Sequence, residues 1–226
     1  MIVEQDLPGA AGDPHGGGTI LTSGRTDTSA VVLLHGRGAS AEDILSLGRE
    51  LRIDGLGLIA PQADGGSWYP FSFLAPIPEN QPHLDSALAL IEALVASLIA
   101  GGLPPERIAL LGFSQGACLT LEYIARHPRR YGAVMGLTGG LIGPPGTPRA
   151  YAGTLGGTPV FLGANDPDPH VPFERVRETE SVLSRMGSAV ELRRYPGMPH
   201  AVNADEMEAC RRLLRGMMTH PEEGGR

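Results

Sequence analysis

The most informative run in the chain is Gly112-Phe113-Ser114-Gln115-Gly116. It follows an apolar segment, Ile108–Leu111, and precedes a helical pattern. A G-x-S-x-G run between strand and helix forms a sharp turn that presents the serine hydroxyl at the end of a sheet. Such a serine is a nucleophile only if a base takes its proton and a carboxylate orients that base. In chains of this layout the order is Ser, acid, His. Of the four histidines after Ser114, His127 falls at the end of the serine's own helix, His170 in an acidic loop and His220 in the tail. His200 sits in Tyr195-Pro-Gly-Met-Pro-His200-Ala, directly after the strand candidate Val190–Tyr195, where the base belongs.

The acid is expected after the segment Pro159–Leu162. There the sequence is Gly163-Ala-Asn-Asp166-Pro-Asp168-Pro-His-Val-Pro172, so two aspartates compete. Asp166 has the shorter reach from the strand end and is favoured, with Asp168 as the alternative. The developing oxyanion needs two backbone N–H donors. Gln115, the residue after the nucleophile, supplies one. Arg37, in the His35-Gly-Arg-Gly38 loop after Val31–Leu34, supplies the other; its side chain points to solvent or toward substrate. Trp68, Tyr69, Phe71 and Phe73 fall within six residues on the long segment Pro61–Pro82 and are expected to form an apolar wall or partial lid for substrate, with ordinary packing as the alternative. Cys118 is read as a small buried apolar residue rather than a nucleophile.

These residues must be held by a frame. Val31–Leu34, Leu56–Ala60, Ile108–Leu111, Ala133–Leu137 and Pro159–Leu162 are short apolar runs without polar alternation, the mark of strands buried on both faces. Helical patterns alternate with them at Ala41–Leu51, Leu84–Ala100, Gln115–His127, Pro172–Met186 and Asn203–Met218. Alternation of this kind predicts an α/β domain with a mostly parallel sheet covered by helices on both faces. The 226 residues suit one domain. Residues 8–18 and 219–226 read as flexible.

Composition narrows the chemistry. The net charge of −7 disfavours nucleic acid as a partner. All 18 basic residues are arginines, so lysine bases, lysine Schiff bases and the Walker P-loop are excluded. The two cysteines make no disulfide framework, the N-terminus lacks the basic start and apolar run of a signal peptide, and Ala87–Ala100 is too short to span a bilayer. A soluble, cytoplasmic protein is expected. No histidine pair has H-x-x-x-H spacing, which disfavours a metal-dependent hydrolase built on His35, His170, His200 and the aspartates. A catalytically silent binding fold would need a gap in the constellation, and every role has a candidate.

Together, His35-Gly-Arg-Gly, Gly112-Phe-Ser-Gln-Gly, Asp168-Pro-His-Val-Pro and Gly197-Met-Pro-His200 resemble the phospholipase/carboxylesterase group of α/β-hydrolases, which includes acyl-protein thioesterases and small bacterial carboxylesterases. The resemblance covers about residues 29–217. It implies an α/β-hydrolase fold without a large cap domain, a Ser-His-Asp triad, no cofactor or metal, a small-molecule ester as substrate, and often a homodimer. Two departures stand out. The acid loop has two extra residues, and Pro199 stands where glycine is commoner in the family.

Overall fold

A computed structural model describes residues 2–6 and 12–219. Eight strands form one sheet: β1 (Ile2–Asp6), β2 (Thr19–Ser23), β3 (Ala30–Leu34), β4 (Gly57–Pro61), β5 (Ile108–Phe113), β6 (Ala133–Leu137), β7 (Pro159–Asp166) and β8 (Ala189–Pro196). Their order is β1-β2-β4-β3-β5-β6-β7-β8. β1 and β2 pair antiparallel, as do β2 and β4. Every other pairing is parallel.

Five α-helices connect the strands: α1 (Ala41–Glu50), α2 (His83–Ala100), α3 (Gln115–Arg126), α4 (Phe173–Arg185) and α5 (Ala204–Thr219). The first is set by a capping box, in which the Ser40 hydroxyl accepts from Asp43 N–H and the Asp43 carboxylate accepts from Ser40 N–H. α1 and α5 cover one face of the sheet through Ile44, Leu45, Met207, Cys210 and Leu214. α2, α3 and α4 cover the other through Leu90, Ile91, Leu119, Val176 and Leu183. All five residues of β3, β4 and β6 are buried, which is why their sequences lack alternation.

The expected central strands and helices are all present, with ends shifted by a few residues. β1 and β2 carry no matching apolar run and escaped the sequence reading. β7 and β8 also run further than expected, to Asp166 and Pro196, which pair in register. α2 begins at His83, so at 18 residues it is long and apolar enough to cross a bilayer. Leu84, Ala87, Leu90, Ile91 and Val95 on it are nevertheless fully buried in the core.

The expectation of flexibility at 8–18 is corrected where it can be tested. His15 is completely buried, and residues 15–17 form a short helical turn. Residues 8–11 and 220–226 lie outside the described residues, while Thr219 ends α5. Among the described residues no cap domain is inserted; the segment between β6 and β7 contains no regular element.

Candidate active site

Ser114 occupies the junction of β5 and α3 with φ 54° and ψ −117°. A left-handed backbone at a non-glycine residue costs roughly 1–3 kcal/mol and persists only where the surroundings impose it. They do so here. A Cβ on Gly112 would overlap the Gly116 carbonyl, and a Cβ on Gly116 would overlap the Leu34 carbonyl. Both glycines are therefore required for α3 to begin this close to β5 and β3. The Ser114 amide donates to the Leu137 carbonyl at 3.0 Å, tying the turn to β6.

The Ser114 hydroxyl is 2.8 Å from His200 Nε2, and His200 Nδ1 is 2.7 Å from Asp168 Oδ2. In the tautomer that satisfies both contacts, Nδ1–H donates to the carboxylate and Nε2 accepts from the hydroxyl. The Asp168 carboxylate is wholly buried, and its second oxygen accepts from the amides of His170 and Val171 at 2.8 and 2.9 Å. Burial alone pushes the Asp168 pKa up. The His200 bond and the two amides outweigh it, so the group is held below the usual carboxylate range. The His200 ring is flanked by Phe113 and, edge-on, by His170.

Asp166, the carboxylate favoured from sequence, is not on His200, and that preference is corrected. β7 does not stop at Leu162 but continues through Asp166. Asp166 is thus a strand residue whose carboxylate pairs with Arg194 on β8, and whose carbonyl accepts from Gly197 N–H at 2.8 Å. The loop that bends toward His200 starts one residue later, and Asp168 is the carboxylate it carries.

The aromatic segment also differs from expectation. Trp68, Tyr69 and Phe73 are buried members of the core that packs α2 and α3, and do not line an open wall. Only Phe71 is exposed, at 53%. The segment folds down because its backbone is held from several directions. Trp68 Nε1 donates to the His35 carbonyl at 2.8 Å. The Trp68 carbonyl accepts from His15 Nε2, and His15 Nδ1 accepts from Asp64 N–H. His35 is buried, uses its ring nitrogens on the Gly36 carbonyl and the Ala63 amide, and has its pKa lowered by burial.

Two more anchors come from the residues expected to donate to the oxyanion. Arg37 is exposed, as the solvent-facing expectation had it, but its guanidinium is tied to the aromatic segment. It donates to Ser67 Oγ and to the carbonyls of Pro70 and Phe71 at 3.0, 2.7 and 2.6 Å. The Gln115 side-chain amide accepts from Trp68 N–H at 3.0 Å and donates to the Tyr69 carbonyl at 2.8 Å. These side-chain roles were missed from sequence. The only hint was an arginine and a glutamine placed where the backbone does the chemistry.

Asn165 was missed as well. Buried at the end of β7, it donates from one amide to the carbonyls of Pro199 and Ala201, at 2.7 and 3.0 Å, on either side of His200. Cys118 is buried on α3, and burial pushes its thiol up to about 12. Among the described residues, no group of three or more His, Cys, Asp or Glu side chains is arranged to hold a metal ion.

Known proteins share this layout. A crystal structure of a phospholipase/carboxylesterase from Dyadobacter fermentans superposes with a TM-score of 0.83 at 48% identity, covering 87% of this chain and 95% of that one. A probable carboxylesterase, SOBER1-like, from Arabidopsis thaliana is 26% identical over 155 residues, 67% of this chain and 59% of its own length. An acyl-protein thioesterase 1 from Gibberella zeae is 30% identical over 128 residues, 54% of this chain and 53% of its own. The chain thus spans less than two-thirds of the length of these two relatives. The structural match identifies the fold as that of the α/β-hydrolases. The sequence profile of the Phospholipase/Carboxylesterase family matches residues 15–218, and the chain belongs to that family.

Proposed function

We propose that the protein is a serine hydrolase of carboxylic esters, with short- to medium-chain acyl esters as its substrates. The observation that carries this reading is the continuous chain Ser114 Oγ–His200 Nε2, His200 Nδ1–Asp168 Oδ2, at 2.8 and 2.7 Å. His200 takes the hydroxyl proton as Ser114 attacks the acyl carbon. Asp168 holds the imidazole tautomer and stabilises the imidazolium. The backbone amides of Arg37 and Gln115 stabilise the oxyanion. His200 then protonates the leaving alcohol, and water, activated by the same imidazole, releases the acid and frees Ser114. The hydrogen bonds that lock residues 67–71 against Arg37 and Gln115 support a preorganised oxyanion hole.

A thioester is cleaved by the same steps, and the similarity to a protein named acyl-protein thioesterase 1 keeps that substrate class as the second reading. The two buried, unpaired cysteines fit a reducing, cytoplasmic setting. The test is hydrolysis of p-nitrophenyl esters from acetate to decanoate beside matched thioesters, by the native chain and Ser114→Ala. Ester turnover that disappears in Ser114→Ala supports the proposal. A native chain inactive on every ester and thioester, or full activity in Ser114→Ala, overturns it.

A further inference from the structure

Three buried polar atoms beneath the His200 loop have no hydrogen-bond partner among the described residues: Asn165 Oδ1, Asn203 Nδ2 and Glu206 Oε1. They belong to one place. On β7, Phe161 faces the α1/α5 layer together with Met207 and Cys210. Strand side chains alternate, so positions 163 and 165 face the same way. The Glu206 carboxyl lies directly against Gly163, where a Cβ would overlap Oε1. Asn203 and Glu206 cap α5 reciprocally: Asn203 N–H donates to Glu206 Oε2 at 2.9 Å, and Glu206 N–H donates to Asn203 Oδ1 at 3.0 Å. Each of the three side chains is thus fixed by bonds it already makes, and each has one atom left over.

The leftover set is an acceptor on Asn165, a donor on Asn203 and a carboxyl oxygen on Glu206. A water molecule, which both donates and accepts, matches that set. Buried polar groups that lack protein partners are commonly satisfied by one ordered water making about three bonds. The consequence reaches the base. Asn165 spends both amide protons on the carbonyls flanking His200. Whatever fixes its Oδ1 fixes the direction of those two bonds.

We propose that an ordered internal water between β7 and the first turn of α5 bonds Asn165, Asn203 and Glu206, and that it makes Asn165 the positioning residue for His200. This rests on the reading of His200 as the general base. Misplacing a catalytic group by about 1 Å costs up to about a hundredfold in rate. Asn165→Asp keeps the size of the side chain but replaces the two donors with a second acceptor. It is expected to lower kcat tenfold to a hundredfold, with KM within about twofold, and to slow labelling of Ser114 by a fluorophosphonate in parallel. A purely structural role would lower the melting temperature and leave kcat of the folded fraction intact, and that result overturns the positioning role.

The water is tested separately by a high-resolution crystal structure of the native chain, whose outcome does not depend on kinetics. Density within hydrogen-bond distance of Asn165 Oδ1, Asn203 Nδ2 and Glu206 Oε1 supports the proposal. A dry gap, or a direct Asn165–Glu206 bond, overturns it. The two readings fail separately. A native chain that labels at Ser114 and hydrolyses esters keeps the esterase reading whatever Asn165→Asp does, and a chain that does neither loses it while the density still decides the water.

Discussion

Two aspartates two residues apart make the sharpest test of the site. Asp168→Asn keeps the shape of the side chain and changes one thing, the partner of His200 Nδ1. At 2.7 Å a carboxylate accepts from Nδ1–H. An asparagine can turn its NH2 there instead, and its other oxygen is already engaged by the amides of His170 and Val171 at 2.8 and 2.9 Å. Those two amides hold the oxygen end in place, so the NH2 end is left facing His200. The imidazole must then place its proton on Nε2, where it cannot accept from Ser114. The serine-protease precedent for this tautomer error is a loss of about 10⁴ in kcat. That corresponds to roughly 5 kcal/mol of transition-state stabilisation.

Asp166→Asn removes a charge from a pair with Arg194, whose side chain is 55% exposed. Asp166 itself is only 19% exposed, but the pair is open to solvent at Arg194 and does not touch His200, so an effect of about 0–1 kcal/mol, at most about fivefold, is expected. The assay is kcat/KM on p-nitrophenyl butyrate for both variants, with thermal unfolding to check the fold. Ratios near 10⁴ and below about fivefold follow from the geometry. If Asp166→Asn is the more damaging change, or the two are equal, the assignment of roles from these distances is wrong.

Three further outcomes are expected. Arg37→Ala leaves the backbone amide in place but removes the three bonds that hold Ser67, Pro70 and Phe71; kcat on the same ester should fall tenfold to a hundredfold, in line with about 1.5–3 kcal/mol for hydrogen bonds from a charged donor, and an unchanged kcat would detach the segment from the oxyanion hole. Glu206 has its pKa raised to about 7 by burial, with the Asp205 charge adding and the Asn203 amide opposing; the native state therefore holds this proton more tightly than the unfolded chain, whose glutamate titrates near 4.3, so its contribution to stability declines as pH rises from about 4 to about 7 and is level above. Glu206→Gln should accordingly gain up to about 3 kcal/mol over the native chain at pH ~8 and little at pH ~4.5 by denaturant unfolding, and a pH-independent difference would refute it. Cys118 and Cys210 are buried with thiols pushed up to about 12, so iodoacetamide should leave esterase activity intact in the folded protein; inactivation would contradict their burial.

What the sequence made legible, and what it hid, divides along a physical line. The G-x-S-x-G turn was readable because its glycines answer a local demand: the backbones of Leu34, Gly112 and Gly116 approach too closely for any Cβ. The central parallel strands, β3 to β7, were readable because burial on both faces removes polar alternation from the sequence. β1 and β2 were not, because an edge hairpin half open to solvent leaves little apolar pattern; Ile2 and Val3 remain 41% and 44% exposed. The acid was ambiguous because reach was judged from where the apolar run ended, at Leu162, whereas β7 is extended to Asp166 by pairing with β8. Strand pairing is a property of two segments, and one segment's composition does not report it. The aromatic segment shows the same limit. Clustered aromatics on a long connection suit a lid and a packed layer equally well, and only the partners decide. Here they are Gln115, Arg37, His35 and His15, from three separate parts of the chain. Each was assigned a local role or none in the sequence, because a side chain bonded to backbone thirty or more residues away leaves no periodicity. Ser114 and His200, which the structure brings together, were singled out by type and spacing, while the side chains that hold them still became visible only through distances.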